Sequence, residues 1–323
     1  MKNNTLSEIA QKLSEANTIF LFPHMRVDGD ALGSCMALCL ALCRQGKQAQ
    51  ILIEDEIPQN LLFLTEDKYI TTECHVSTPD LCIAVDCSDP TRFEKRQSMF
   101  DSAACKICID HHETTCYFAD YNYIDPVAAA TGQIIFDLLK AMNVTMDQRI
   151  ANALYTALAT DTGNFSYSNT TRRTHEIVAE LYDHGLDNSY VCNEVYGSVR
   201  QEQIAIHSIA LSSMKVFSHG KAAMTCVTQD MLQKTGAKLS ETDGIVEKMR
   251  NICGVEISAL LKEEDEKTVK VSLRAKTTAN VAELAQQFGG GGHKKAAGCT
   301  IRKPLEEAKK EIEEAICATL CRR

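Results

Sequence analysis

The sequence predicts an α/β protein. Its N-terminal part reads as a mostly parallel sheet with helices on both faces, followed by a linking helix and a smaller α/β domain with a mixed sheet. Three observations lead there. Short apolar runs alternate with helical periods through the first half, which is the pattern of strands and helices layered around a central sheet. The runs are continuously apolar rather than alternating, as in parallel strands buried on both faces. The length of 323 residues exceeds one ordinary core and suits two domains of roughly 100–200 residues each.

Taken in order, residues 5–16 read as an amphipathic helix and Thr18–Phe22 as a buried strand. A helix follows from about Asp30 to Gln45, with Gly46 as its stop. Residues 50–53, 81–85 and 106–109 read as strands, and 126–142, 147–160 and 172–185 as helices. The pattern from 188 to 213 stays helical and becomes more polar. The expected division is therefore a first domain over 1–188, a linker helix over 189–214 and a second domain over 215–323. In the second domain, strands are expected near 214–218, 221–227, 253–263 and 268–275. Helices are expected near 229–236, 241–250 and 280–288 and from about 304.

Composition narrows the function classes. A net charge of -9 argues against a protein that coats long nucleic acid, because such proteins carry a basic face that neutralises phosphates. It leaves room for a small anionic substrate. The fifteen cysteines read as reduced, mostly buried thiols: Cys35, Cys39 and Cys43 recur on one helix face, and Cys82, Cys105 and Cys108 lie in strand-like runs. Cys105 and Cys108 form a lone CxxC within a strand, a poor zinc site. No secretory signal precedes the first strand and no apolar run approaches the roughly 18 residues of a membrane span. A cytoplasmic protein without membrane association is expected.

The polar residues fall where chemistry is expected. Ligands of open α/β sheets bind at the carboxyl ends of strands, and each predicted core strand here ends in an acid or a histidine. The first runs into His24, Asp28 and Asp30; the next ends in Asp86; the third ends in Asp110, His111 and His112. The helix over 147–160 leads into Asp161. Each residue alone has an ordinary explanation as a turn former, a cap or a surface histidine. Together they bring several carboxylates to one edge, where they repel unless cations neutralise them. Carboxylate and imidazole without thiolate suit Mn²⁺ or Mg²⁺, with Zn²⁺ or Co²⁺ as substitutes. The physical reading is a two-metal site for phosphoester hydrolysis.

These residues resemble a known family. His24-x-x-x-Asp28-x-Asp30-Ala31-x-Gly33-Ser34, Val85-Asp86, Asp110-His111-His112 and Thr160-Asp161-Thr162-Gly163 look like the four motifs of the DHH phosphoesterases. The segment from Phe288 through Gly289-Gly290-Gly291-Gly292-His293-Lys294-Lys295 to Gly298 looks like the signature of the domain that accompanies them. The compact length is similar to the branch that degrades very short RNA (nanoRNA) and dephosphorylates pAp (3′-phosphoadenosine 5′-phosphate). The resemblance implies that His24 and Asp28 bind a first Mn²⁺ and that Asp30, His111 and Asp161 bind a second, with Asp86 bridging. It implies that Asp110 orients the histidine pair, that His112 faces the substrate phosphate, and that a metal-bridging hydroxide is the nucleophile. Two departures stand out: Val27 where many members have proline, and Thr115 where many have asparagine. The first loses no ligand; the second puts a supporting contact in question.

In the second domain, four consecutive glycines are incompatible with helix. Bare backbone beside cations can hold an anion, so Gly290, Gly291, Gly292 and His293 are candidate substrate contacts, together with Arg274 at a strand end. Contacts on a second lobe imply a cleft that closes on the substrate. The expected substrates are short oligoribonucleotides and pAp. Linear pApA of cyclic-di-AMP turnover is a close alternative, followed by long single-stranded DNA, a non-catalytic nucleotide sensor and pyrophosphate chemistry. No aromatic ladder for long single strands is evident and no Trp is present. No stable long nucleic-acid complex is expected. The oligomeric state stays open, a homodimer included.

Overall fold

The computed structural model describes residues 3–66, 68–72 and 78–321. The chain forms two compact units, Met1–Ser198 and Val199–Arg323.

The first unit begins with α1 (Leu6–Glu15), opened by a capping box in which Thr5 and Glu8 satisfy each other's backbone N–H. Then come β1 (Thr18–Phe22), α2 (Gly29–Arg44), β2 (Gln48–Leu52), a 3₁₀ turn over Gln59–Leu64, β3 (Ile70–Thr71) and β4 (Leu81–Val85). A 3₁₀ segment over Pro90–Arg96 leads into α3 (Gln97–Ser102), β5 (Cys105–Asp110) and β6 (Tyr121–Ile124). The unit ends with α4 (Thr131–Ala141), α5 (Gln148–Asp161), α6 (Arg172–Asp183) and α7 (Asn188–Cys192). The strands form one sheet in the order β3-β2-β1-β4-β5-β6, and every pairing in it is parallel.

Both faces of the sheet are covered, but unequally. Ile19, Leu21, Ile83, Val85, Ile107 and Ile109 face a thick layer that includes α1, α2, α4 and α5. Phe20, Phe22, Cys82, Ala84 and Cys108 face a thin one built around Phe93 and Phe100. In the thin layer Phe22, Phe93 and Phe100 pack with ring centroids 5.0–5.7 Å apart. Because the chain leaves β1 for β2 on one side and returns to β4 on the other, the strand order reverses between β1 and β4. That crevice is where ligands of open sheets bind.

The helix expected from 126 begins only at Thr131, since 125–130 forms turns and Ala130 is extended. β3 and β6, short strands toward the sheet edges, escaped the apolar-run criterion. The single linker helix expected over 189–214 is instead three segments: α7, a π-helical turn over Asn193–Gly197, and α8 (Gln201–Ser212) after a break at residues 198–200.

The second unit continues from α8 through β7 (Lys215–Phe217), β8 (Ala222–Val227), α9 (Gln229–Thr235) and α10 (Ile245–Arg250). β9 (Ile257–Asp265), β10 (Thr268–Ala275), α11 (Val281–Gln286), β11 (Gly291–His293), β12 (Ala296–Ile301) and α12 (Leu305–Cys321) complete it. The sheet order is β11-β12-β10-β9-β8-β7, with β8 and β9 parallel and the other pairs antiparallel. The glycine run, incompatible with helix, is half strand: β11 and β12 form a hairpin at the sheet edge.

Candidate metal centre

The first unit brings His24, Asp28, Asp30, Asp86, Asp110, His111, His112 and Asp161 to one edge. Three groups of donor atoms each lie within 4.8 Å: His24, Asp28 and Asp86; Asp30, His111 and Asp161; and Asp86, His111 and His112.

Two histidines are aimed by backbone carbonyls. His24 Nδ1 lies 2.7 Å from the Met25 carbonyl oxygen and His111 Nδ1 lies 3.2 Å from that of Ala128. A carbonyl only accepts, so Nδ1 carries the proton and each Nε2 lone pair is left for another partner. The Nε2 of His24 faces Asp28 Oδ2 at 3.5 Å and Asp86 Oδ2 at 3.7 Å. The Nε2 of His111 faces Asp30 Oδ2, Asp86 Oδ1 and Asp161 Oδ2, each at 3.7 Å. Donors bound at about 2.0–2.2 Å to one ion sit roughly 3–3.6 Å apart, so small contractions would let both sets hold a divalent cation. The two oxygens of Asp86 point one to each set.

The acids are held as firmly as the imidazoles. Asp30 is buried and accepts from the backbone N–H of Thr131 at 2.7 Å, that of Gly132 at 2.9 Å and the Ser34 hydroxyl at 3.1 Å. It thus sits on the N-terminus of α4, where the helix dipole favours an anion. Asp86, also buried, accepts from Thr131 Oγ1 at 2.8 Å, and its backbone takes a left-handed φ of 56°, a strain typical of functional positions. Asp28 caps α2 through Ala31 N–H. Asp161 closes α5, and Asn169 Nδ2 bridges its backbone oxygen (3.2 Å) and that of Ala129 (2.9 Å).

Electrostatics record the crowding. Burial, reinforced by Asp86, Asp161 and Asp28, pushes the Asp30 carboxyl well above the usual range. Burial and Asp28 push Asp86 up to about 6. Such groups are poised for neutralisation by cations. His112 behaves differently. Its Nδ1 donates to Asp110 Oδ1 at 2.8 Å, and that hydrogen bond lifts the imidazole to about 9. Asp110, fully buried, also accepts from His111 N–H at 2.8 Å and from the Thr115 hydroxyl. Burial raises the Asp110 carboxyl, but His112, Thr115 and His111 together outweigh it and the net shift is downward. Thr115 therefore reaches Asp110 even though asparagine is absent.

Sequence reasoning missed Thr131, Gly132 and Asn169. All act across long sequence separations: Thr131 and Asp30 lie 101 positions apart. A faint signal existed in the small-residue run Ala128-Ala129-Ala130-Thr131-Gly132, which lets α4 press against its neighbours. A Cβ on Gly132 would lie 2.5 Å from Ala157 Cβ of α5. Gly29 is also constrained by packing. It opens α2 without a positive φ, and it is small because Thr160 packs against it.

In the second unit, Arg274 and His293 are both cross-paired with Ala296. Directly opposed residues share a sheet face, so the two side chains lie on one face about two strand spacings, or roughly 10 Å, apart. The next row is Ser272, Gly298 and Gly291, which leaves a floor nearly bare of side chains. Arg274 is not idle: Nε donates to Glu247 at 2.8 Å and Nη1 to the Leu273 carbonyl at 3.0 Å. Two of the glycines have a structural reason: a Cβ on Gly290 would strike Gly298 and Cys299, and one on Gly292 would lie 2.6 Å from the Ala296 oxygen. Gly291 has open space around its Cβ position.

Comparison with known proteins agrees with this architecture. Residues 18–158 match the DHH family, N-terminal domain, and residues 221–320 match the DHHA1 domain. The chain therefore contains a DHH-family N-terminal domain and a DHHA1 domain. It is similar to the bifunctional oligoribonuclease and PAP phosphatase NrnA of Thermus thermophilus, 29% identical over 94% of this chain and 90% of that protein. It is also similar to the Bacillus subtilis protein of the same name, 26% identical over 91% and 93%. A crystal structure of an exopolyphosphatase-related protein from Bacteroides fragilis superimposes with a TM-score of 0.91 at 26% identity, covering 96% of this chain and 94% of that one. Among the described residues, no helix is long and apolar enough to cross a membrane.

Proposed function

We propose that this chain is a metal-dependent phosphoesterase that hydrolyses very short oligoribonucleotides to mononucleotides and pAp to AMP. The observation that carries the reading is Asp86, whose two oxygens face two separate carboxylate–imidazole sets. His24 and Asp28 would hold one cation, Asp30, His111 and Asp161 the other, and Asp86 would be shared. Mn²⁺ suits the oxygen and nitrogen donors best, with Mg²⁺ or Co²⁺ able to substitute. When bound, such a pair supplies Lewis-acid stabilisation of the phosphoryl group and acidifies water.

The protein's own contribution is orientation and proton supply. His24 and His111 are fixed by carbonyls, and Asp30 and Asp86 by the start of α4. His112, held in its cationic form by Asp110, is suited to neutralise phosphate or to donate a proton to the leaving oxygen. Arg274, His293 and the backbone of Gly290, Gly291 and Gly292 would bind substrate phosphate on the second unit. The names of the two NrnA relatives support the choice of substrate class.

The test is mononucleotide release from an oligoribonucleotide length series with Mn²⁺, with pAp, pApA and inorganic polyphosphate alongside. Cleavage of two- to five-residue RNA and of pAp, with polyphosphate inert, is expected. Preferential release of phosphate from polyphosphate would sink the reading, as would tight nucleotide binding without turnover under any divalent metal.

A further inference from the structure

The segment after Asp161 is built in a way the metal centre alone does not require. Three successive residues, Gly163, Asn164 and Phe165, take left-handed conformations with φ of 57°, 53° and 62°. For the two that are not glycine this is costly backbone, of the kind that persists where surrounding structure enforces it. The enforcement is visible. Asn164 N–H donates to the Ala159 oxygen at 2.7 Å, and Ser166 and Tyr167 N–H both donate to that of Thr162, at 3.0 and 2.9 Å. The buried Thr162 hydroxyl accepts from Phe165 N–H at 3.1 Å. Tyr196 braces the same turn by donating its hydroxyl to the Ala159 oxygen at 2.9 Å.

This tight turn sends two neighbouring aromatic residues to opposite fates. Phe165 turns inward, packing against Tyr155 and His175 with centroids 5.7 and 5.6 Å away. Tyr167 turns outward. Its ring lies across the backbone of Gly163, where a Cβ would collide with it, yet the residue keeps 45% of its surface exposed. Gly163 is two positions from Asp161. The result is a half-exposed aromatic face packed on the backbone two residues beyond Asp161, a candidate metal ligand. Such a face is the usual means of holding a nucleobase without reading its sequence, and a ring clamped on backbone loses little entropy when it stacks.

We propose that Tyr167 is a stacking platform for the base of the nucleotide whose phosphate is attacked, and so a positioning residue for base-bearing substrates. This rests on the phosphoesterase reading above and adds a subsite to it. Stacking on a π-face tolerates every base, which fits an enzyme of general short-RNA turnover.

The experiment compares pAp with ribose 3′,5′-bisphosphate, the same bisphosphate without a base, on wild-type protein and on Tyr167→Ala, Tyr167→Phe and Tyr167→Trp. For Tyr167→Ala, kcat/KM on pAp should fall roughly 5- to 100-fold, the range of one lost base–aromatic stack, mainly through KM. The loss on the abasic compound should be several-fold smaller, and Phe and Trp should retain most activity on pAp. Equal losses on both substrates would mean a merely structural role and overturn the proposal, as would no loss on either. Failure of the wild-type protein to hydrolyse pAp or short RNA would instead refute the phosphoesterase reading.

Discussion

The two units hold their candidate residues in opposite ways. In the first, Asp30 and Asp86 are buried, both accept hydrogen bonds from Thr131 at the start of α4, and the backbone at Asp86 is strained into place. In the second, His293 sits on an exposed edge strand and Arg274 shares its guanidinium with Glu247. The contrast separates two physical tasks. Like charges can be concentrated only where rigid structure prevents them from moving apart until cations arrive. A polyanionic substrate needs a face it can reach, where modest contacts add up.

The contrast is broken most directly at Asp86. Asp86→Ala should lower kcat with Mn²⁺ by roughly 10³-fold or more, since one carboxylate serves both sets; a variant with ordinary turnover would remove the shared-ligand reading. His112→Ala should cost roughly 10²- to 10⁴-fold in kcat, as expected for a general acid, with metal binding by calorimetry nearly intact. Thr131→Val keeps the shape but removes the hydroxyl that Asp86 accepts from, so metal affinity should drop about 10- to 100-fold. If the open face of the second unit binds phosphate, His293→Ala should raise KM about 10-fold and leave kcat close to normal. A kcat loss like that of His112→Ala would merge the two tasks.

The smallest and most diagnostic effect is on stability against pH. In metal-free protein Asp86 and His112 of the first unit favour bound protons. Asp86, raised to about 6 from 3.8, weakens the fold as pH climbs through that interval. The contribution of His112 is complete below about 6.5 and is lost as pH rises through about 9. The second unit runs the other way. His207 is buried, accepts from Lys248 at 2.8 Å and contacts the Glu241 carbonyl at 2.9 Å. Burial and Lys248 lower its pKa, so its contribution is present above about 6.5 and lost as pH falls through the lowered value. Melting curves after chelation should therefore decline as pH rises through about 9, while on the acid side the gain from Asp86 opposes the loss from His207. His112→Gln should abolish the alkaline decline and His207→Gln the acid loss.

The convergence of the candidate ligands was legible in the sequence because most of them lie at the ends of apolar strands, where chain direction alone says they converge. Asp86 and Asp110 needed only the strands before them. What supports those residues was illegible, since Thr131, Gly132 and Asn169 have no local signature and act through tertiary approach. β11 and β12 were missed for a related reason. Gly291-Gly292-His293 and Ala296-Ala297-Gly298 carry almost no strand propensity, and pairing with β10 makes them a sheet. The break between α7 and α8 falls at residues 198–200, directly after Gly197, a stop signal that the helical pattern on either side of it outweighed.

The contact between Gly132 and Ala157 also sets a timetable. α5 is the last of the three helices whose small residues meet beneath the centre, and Asp161 is its final residue. A chain emerging from the ribosome presents His24, Asp28, Asp30, Asp86 and the histidine pair long before α5 exists to press α4 into place. Until residue 161 has cleared the exit, the acids have neither their full complement of partners nor a fixed geometry. Metal capture is thereby deferred to the end of the first unit's synthesis, and a nascent chain stalled before α5 should bind Mn²⁺ poorly despite carrying five of the six proposed ligands.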